Sequence, residues 1–118
     1  MQCMLLIYGD QSSDPQMDEG DQAAEMQRWY DYSDWLRTKG WVKAGDALQP
    51  VEQATSVRVR DGERLVTDGP FAETKETLGG YYLLEVDNLD DAIDAAARCP
   101  AAPRGTIELR PVMEMPEG

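Results

Sequence analysis

Residues 54–67 read ATSVRVRDGERLVT, and this stretch decides which class of fold the chain can adopt. Apolar and polar residues alternate over 54–60 and again over 64–67, which is typical of strands that bury one face. Asp61 and Gly62 separate the two runs, and an Asp-Gly pair favours the tight turn of a β-hairpin. The stretch therefore predicts two antiparallel strands joined by that turn.

Four other stretches of the chain predict strands. Residues 4–8 form an apolar run that ends at Gly9, as expected of a buried strand. The last stretch alternates, and it places Ile107 and Leu109 on the inward side. The four stretches are residues 4–8, 41–48, 81–86 and 106–110.

A first helix is predicted after the first strand. Residues 11–20 are polar and predict a loop, with a helical turn starting at Pro15. Asp21 is expected to cap the helix, which runs to about Lys39 and ends at Gly40. The residues expected on its inner face are Met26, Trp29, Ser33 and Leu36.

A second, shorter helix is predicted near the carboxyl end of the chain. Asn88 is expected to cap this helix, and Pro100 ends it, because the residue before a proline disfavours helical geometry. The residues expected on its inner face are Leu89, Ala92, Ile93, Ala96 and Ala97.

The order of these elements predicts one α+β domain over residues 1–118, with residues 111–118 as a short tail. Two helices would cover one face of an antiparallel sheet, and the hairpin would be an insertion between its strands. The chain offers no third layer for the other face of that sheet. We therefore expect a homodimer in which a second copy covers it.

Charge excludes two classes of partner. The chain carries 11 Lys and Arg against 23 Asp and Glu, so its net charge is −12. Nucleic acids and anionic membranes attract proteins through clustered basic residues, and this chain would be repelled by both. We therefore expect no nucleic-acid partner and no membrane association.

The chain contains no histidine, which narrows the chemistry open to it. Ser-His-Asp and Cys-His catalysis and the usual histidine-containing zinc and iron sites are excluded. Cys3 and Cys99 form no CxxC pair, and both are expected to be buried thiols in a reducing compartment. Neither a secretory signal nor a nucleotide-binding motif is found, so a cytoplasmic protein without metal or cofactor is expected.

Residues 67–76 read TDGPFAETKE and form the segment with the most unusual composition. Asp68 suits a turn, and as an alternative it is a pocket carboxylate that acts as a base or anchors a ligand. Phe71, the only Phe, is expected to plug this loop onto the core. Either Lys75 is an anion anchor with Glu73 or Glu76 as a base, or these charges pair in a solvated loop.

Two tyrosines on predicted strands are further candidates. Tyr8 ends the first strand, and Tyr82 shares its strand with Tyr81 but points to the opposite face. Each either lines a cavity or is a packed core aromatic. The candidate catalytic residues are Asp68, Glu73 and Glu76, and the candidate ligand-binding residues are Tyr8, Asp68, Phe71, Glu73, Lys75 and Tyr82.

At several motifs the chain resembles the DGPF-domain branch of the YCII-related superfamily. The motifs are VTDGPFAETKETLGGYYLLEVDNLDDAIDAAARCP at 66–100, MLLIYGD at 4–10, AGDALQP at 44–50, VRVRDGERLVTDG at 57–69 and IELRPVMEM at 107–115. The resemblance covers nearly the whole chain and implies a ferredoxin-like fold that pairs into a dimeric α/β barrel. It also implies a largely unassigned function, in a regulatory setting beside alternative sigma factors.

Three functions remain open from the sequence. The favoured hypothesis is a non-enzymatic dimer that binds a small molecule or a partner protein. The second is a cofactor-free enzyme, because related barrels bind small aromatic or enol-type compounds and move protons. In that case Asp68, Glu73 or Glu76 would be the base, and Tyr8 or Tyr82 would orient the substrate. The third is a purely structural interaction domain that docks through the loop at residues 67–76, which contains the sequence DGPF.

Overall fold

The computed structural model describes residues 1–10 and 18–116 of the chain. Within these residues, six strands, two α-helices and one short 3-10 turn follow one another. In chain order they are β1 (Gln2–Gly9), α1 (Glu19–Lys39), β2 (Val42–Ala47), the 3-10 turn (Val51–Gln53), β3 (Thr55–Arg60), β4 (Glu63–Asp68), β5 (Thr77–Glu85), α2 (Leu89–Ala97) and β6 (Thr106–Pro111).

Four of the strands form one antiparallel sheet in the order β2-β5-β1-β6. The central strand β1 pairs with β5 and β6, and cross-strand neighbours such as Leu5 and Tyr82 point to the same face. Both helices pack on that face, since Leu36 of α1 and Ala92 of α2 share one buried cluster with Leu5. The predicted α+β, ferredoxin-like architecture is confirmed.

The hairpin predicted from residues 54–67 is also confirmed. β3 and β4 form a separate two-stranded sheet, with Val57 opposite Val66. Asp61 and Gly62 have φ angles of 52° and 79°, in the left-handed region that a tight hairpin turn requires. The hairpin therefore lies outside the main sheet and does not extend it.

The first helix begins earlier than predicted. Its N-cap is Asp18, whose Oδ1 accepts a hydrogen bond of 2.7 Å from the backbone amide of Asp21. Gly20 therefore belongs to the helix and not to a loop, because Asp18 instead of Asp21 supplies the capping oxygen. The rest of the predicted loop, residues 11–17 with Pro15, lies outside the described residues.

The inner faces of both helices differ from the predicted ones. Met26 is exposed, and Tyr32 takes the inward position, where its hydroxyl donates to the Ala95 carbonyl at 2.6 Å. In α2, Ala92 and Ala95 are buried and Ala96 is half-buried, while Leu89, Ile93 and Ala97, which were expected on the inner face, are exposed. The small alanine side chains let α2 approach the sheet closely, which leaves no space there for larger residues.

Both cysteines are buried free thiols, as predicted. Burial raises the pKa of Cys3, although a backbone hydrogen bond involving Arg110 opposes the shift. Burial likewise raises the pKa of Cys99. The neutral thiol is therefore favoured at both positions, and each acts as a small apolar core residue.

The face of the sheet opposite the helices carries Met4, Leu6 and Leu83, which are half-buried. Glu108 lies beside Leu6 on the same face. Both helices pack on the other face of the sheet, so neither of them covers this one, as expected from the sequence. No helix in residues 1–10 and 18–116 has the length and apolar character needed to span a membrane.

Candidate functional site

A cavity of about 860 Å³ lies between α1 and one end of the main sheet. At this end β1 and β2 finish, while β5 and β6 begin. Trp29, Ser33 and Arg37 line it from the helix, and Ile7 and Tyr82 line it from the sheet. We call this space the α1 cavity. Its volume is in the range of typical small-molecule sites.

Glycines on the sheet leave the α1 cavity empty. Gly45 of β2 lies opposite Tyr82, where a Cβ atom would be 2.6 Å from the Tyr82 ring. A Cβ at Gly80 would be 3.0 Å from the Asp46 carbonyl oxygen. Because neither position holds a side chain, the space beneath α1 is unfilled by the protein's own core. β5 begins at Thr77, four residues before the strand predicted at 81–86, so Gly79 and Gly80 belong to this strand.

Two hydroxyl groups in the lining of the α1 cavity are hydrogen-bonded to each other. Ser33 Oγ and Tyr82 Oη are 2.9 Å apart, and either can donate to the other. Their mutual bond uses one of the two hydroxyl protons, so one donor remains for a ligand oxygen. The Tyr82 ring also meets Tyr32 edge to face, with centroids 5.8 Å apart, which fixes its position.

Arg104 reaches the α1 cavity from the segment between α2 and β6. Its guanidinium pairs with Glu25 of α1, which also accepts from Arg28 at 2.8 Å. Gly105 is essential to this arrangement, because a Cβ there would overlap the Tyr8 carbonyl oxygen. The close approach at Gly105 and the ion pair at Glu25 together hold this wall of the cavity against α1.

The surroundings of Glu25 favour the ionised form of its side chain over the protonated form. Burial acts to raise the pKa of Glu25, but hydrogen bonds from Arg28 and the charge of Arg104 outweigh it and lower the pKa. A lowered pKa in the folded state means that Glu25 stabilises the fold above its unfolded pKa of about 4.3. This contribution is lost as the pH falls through the lower, folded value.

We expect Glu25→Gln to flatten the acid dependence of stability. Between pH 6 and pH 3, the free energy of unfolding should fall less in this variant than in the wild type, because the linked carboxylate is gone. Urea unfolding at both pH values measures the difference. The exposed Glu76→Gln variant serves as the control and should follow the wild type. Equal slopes for wild type and Glu25→Gln would contradict the role of this carboxylate.

The structure divides the residues singled out from the sequence into two groups. Tyr8 and Tyr82 line the α1 cavity. The other candidates lie on the exposed segment that joins β4 to β5 or at its start, and none of them lines this cavity. They are Asp68, Phe71, Glu73, Lys75 and Glu76.

Phe71 does not plug this segment onto the core, because its side chain is 78% exposed. Backbone contacts hold the turn: the Gly69 amide donates to Ala54, and Ser56 Oγ donates to the Gly69 carbonyl at 2.8 Å. Gly69 has a φ of 94°, which favours glycine. Within the described residues, the Asp68 carboxylate accepts no hydrogen bond, so its side chain does not stabilise the turn.

Sequence reasoning missed several residues of the α1 cavity. The sequence predicts Ser33 only as part of the inner helix face, and it assigns no role to Gly45 or Arg104. A signal was present: Ser33 is a polar residue on an otherwise aromatic and apolar helix face, and Gly45 interrupts a predicted strand. Glycine inside a strand often marks a close approach or an open space.

Comparison with known proteins gives two findings. The sequence model of the family described as YCII-related domain matches residues 1–116. An uncharacterized protein of Rhizobium meliloti (strain 1021) is 45% identical to the chain over 67 residues. That match covers 55% of this chain and 54% of the relative, so the chain matches about half of that protein's length.

Proposed function

The chain belongs to the YCII-related domain family, and on that premise we propose that it binds a small molecule in the α1 cavity. The observation that carries this proposal is the pairing of an unfilled space of about 860 Å³ with a free hydroxyl donor inside it. A concave, mostly apolar space with a few convergent polar groups is the usual form of a small-molecule site.

The lining favours a planar organic ligand. Trp29 and Tyr82 offer aromatic surface, while the Ser33 and Tyr82 hydroxyls offer one donor for an oxygen atom. Charges in the lining are balanced, with Asp10 and Asp46 against Arg37 and Arg104. An aromatic or enol-type compound of low net charge fits this chemistry, and such compounds are bound by barrels that the family resembles.

We infer binding without catalysis. The carboxylates considered as bases, Asp68, Glu73 and Glu76, lie on an exposed segment outside the α1 cavity. The paired hydroxyls of Ser33 and Tyr82, which we expect to contact the ligand, are weak acids and weak bases near neutral pH. A ligand sensor in a regulatory, sigma-factor-linked setting is the form of this function that the family resemblance supports. The buried free thiols of Cys3 and Cys99 are consistent with a cytoplasmic location.

We further infer that the functional unit is a homodimer. Met4, Leu6 and Leu83 form an apolar surface on the face of the sheet that the helices do not cover. A second copy that covers this face would bury the same residues on both chains, as two-fold symmetric interfaces do.

Titration with 4-hydroxycoumarin, a planar enol, tests the proposed site. We expect a saturable shift of the Trp29 indole signal in the NMR spectrum, because Trp29 lines the α1 cavity. The Gly79→Leu variant should lose this shift by filling the cavity. An added Cβ at Gly79 meets no atom closer than 3.9 Å, so the fold should tolerate the change.

The Glu73→Gln variant is the matched control on the exposed segment. It should bind like the wild type, because Glu73 does not line the α1 cavity. If Glu73→Gln abolished binding and Gly79→Leu left it intact, the site would be the segment between β4 and β5. If the probe disappeared with turnover in the wild type, the enzymatic alternative would replace the proposal.

A further inference from the structure

β3, β4 and the turn between them form an arm, residues 55–68, that has few contacts with the rest of the chain. Every residue of the two strands except Ser56 is exposed. Val57, Val59 and Val66 lie on one face of the arm and are each about 60% exposed. An isolated two-stranded hairpin is marginally stable in water, so this arm needs a further surface to pack against.

The accessible surface area of the single chain is much larger than that of a compact monomer of the same mass. Its accessible area is 8769 Å², against about 6,400 Å² for a compact monomer of this mass. Its radius of gyration is 16.7 Å, against about 13.5 Å for a compact domain of this length. The excess area is about 2,300 Å² per chain. A pair of chains that removed it would bury an amount within the range of obligate homodimers, about 2,000–5,000 Å² in total.

Charge on the arm points to the kind of surface that it meets. Arg58, Arg60 and Arg64 have no ion pair within the described part of the chain. The arm's three arginines equal its three carboxylates in number, so the whole net charge of −12 lies outside it. Another copy of this chain presents an acidic surface, and it is present wherever the arm is. It therefore complements the unpaired arginines.

We propose that the arm docks on a second copy of this chain. Val57, Val59 and Val66 bury against the partner, and Arg64, which lies opposite Val59 on the same face of the arm, faces the partner's acidic surface. This inference rests on the homodimer proposed above and names the element that holds it together. Because Pro50 lies at the α1 cavity and the arm begins five residues later, docking also fixes the chain beside the cavity.

Sedimentation velocity of the full chain over a concentration series tests the arm. We expect a wild-type dimer and at least a tenfold weaker dimer for Val57→Glu/Val66→Glu, since this change buries two carboxylates at the contact. The matched control is Met26→Glu/Tyr30→Glu, which changes two residues of similar exposure on α1. It should dimerise within about twofold of the wild type.

A second, milder variant distinguishes loss of the contact from unfolding of the arm. Val57→Thr/Val66→Thr keeps the β-branched side chains that favour strands, and it should weaken the dimer by a smaller factor. A monomeric wild type, or arm variants that dimerise like the wild type, would overturn the proposal. So would equal losses in the arm and α1 variants. The 4-hydroxycoumarin titration of each variant reports separately on the α1 cavity, so failure of the arm and failure of the ligand site are distinguishable.

Discussion

Gly105→Ala should destabilise the protein by about 3 kcal/mol, near the upper end of the cost of overpacking. The added Cβ would overlap the backbone oxygen of Tyr8 in the central strand of the sheet. A backbone atom cannot rotate away as a side chain can, so the segment carrying Arg104 must move. Urea unfolding, monitored by circular dichroism at fixed protein concentration, measures the loss.

Gly9→Ala is the control for Gly105→Ala. Gly9 also lines the α1 cavity, but no atom lies within 4 Å of an added Cβ there. Its free energy of unfolding should stay within about 0.5 kcal/mol of the wild type. If Gly105→Ala were as stable as Gly9→Ala, the close approach of the two backbone segments would not exist in solution.

Leu36→Ala should cost about 3 kcal/mol, which corresponds to a fall in Tm of about 12 °C for a chain of this length. Leu36 is fully buried and belongs to the core cluster that joins α1 to the sheet. Its removal loses apolar burial and leaves a space that the packed neighbours cannot fill. Differential scanning calorimetry at one protein concentration measures the change without an offset from dimerisation.

Leu89→Ala makes the same chemical change at an exposed site. Leu89 is 48% exposed at the start of α2, although the sequence placed it on the inner face. We expect its effect to stay below about 1 kcal/mol. If Leu89→Ala lost as much stability as Leu36→Ala, Leu89 would lie on the inner face of α2, as the sequence predicts.

Local signals made the hairpin and the second helix predictable. Asp61 and Gly62 specify their turn through their own backbone preferences, and Asn88 caps α2 by accepting from the Asp91 amide at 2.9 Å. The start of α1 was less predictable, because Asp18 and Asp21 both suit an N-cap. Periodicity alone cannot choose between two acidic residues three positions apart.

Tertiary packing determined what the sequence left undecided. Ile93 has the right spacing for the inner face of α2, but alanines allow a closer approach and rotate it outward. The α1 cavity depends on Gly45, Gly80 and Gly105, which are far apart in the chain and meet only in the fold. The sequence analysis therefore identified Tyr8 and Tyr82 as candidates but could not assign them to one space with Ser33.

The three neighbouring glycines of the α1 cavity differ in how freely a lineage can replace them. A Cβ atom added at Gly45 or at Gly80 would lie 3.0 Å from a backbone oxygen, so we expect related sequences to keep both glycines. Gly79 faces no such barrier, and each larger residue accepted there would reduce the volume open to a ligand. A duplicated gene could thus acquire a new ligand preference by a single substitution at Gly79, while the sheet and its stability were inherited unchanged.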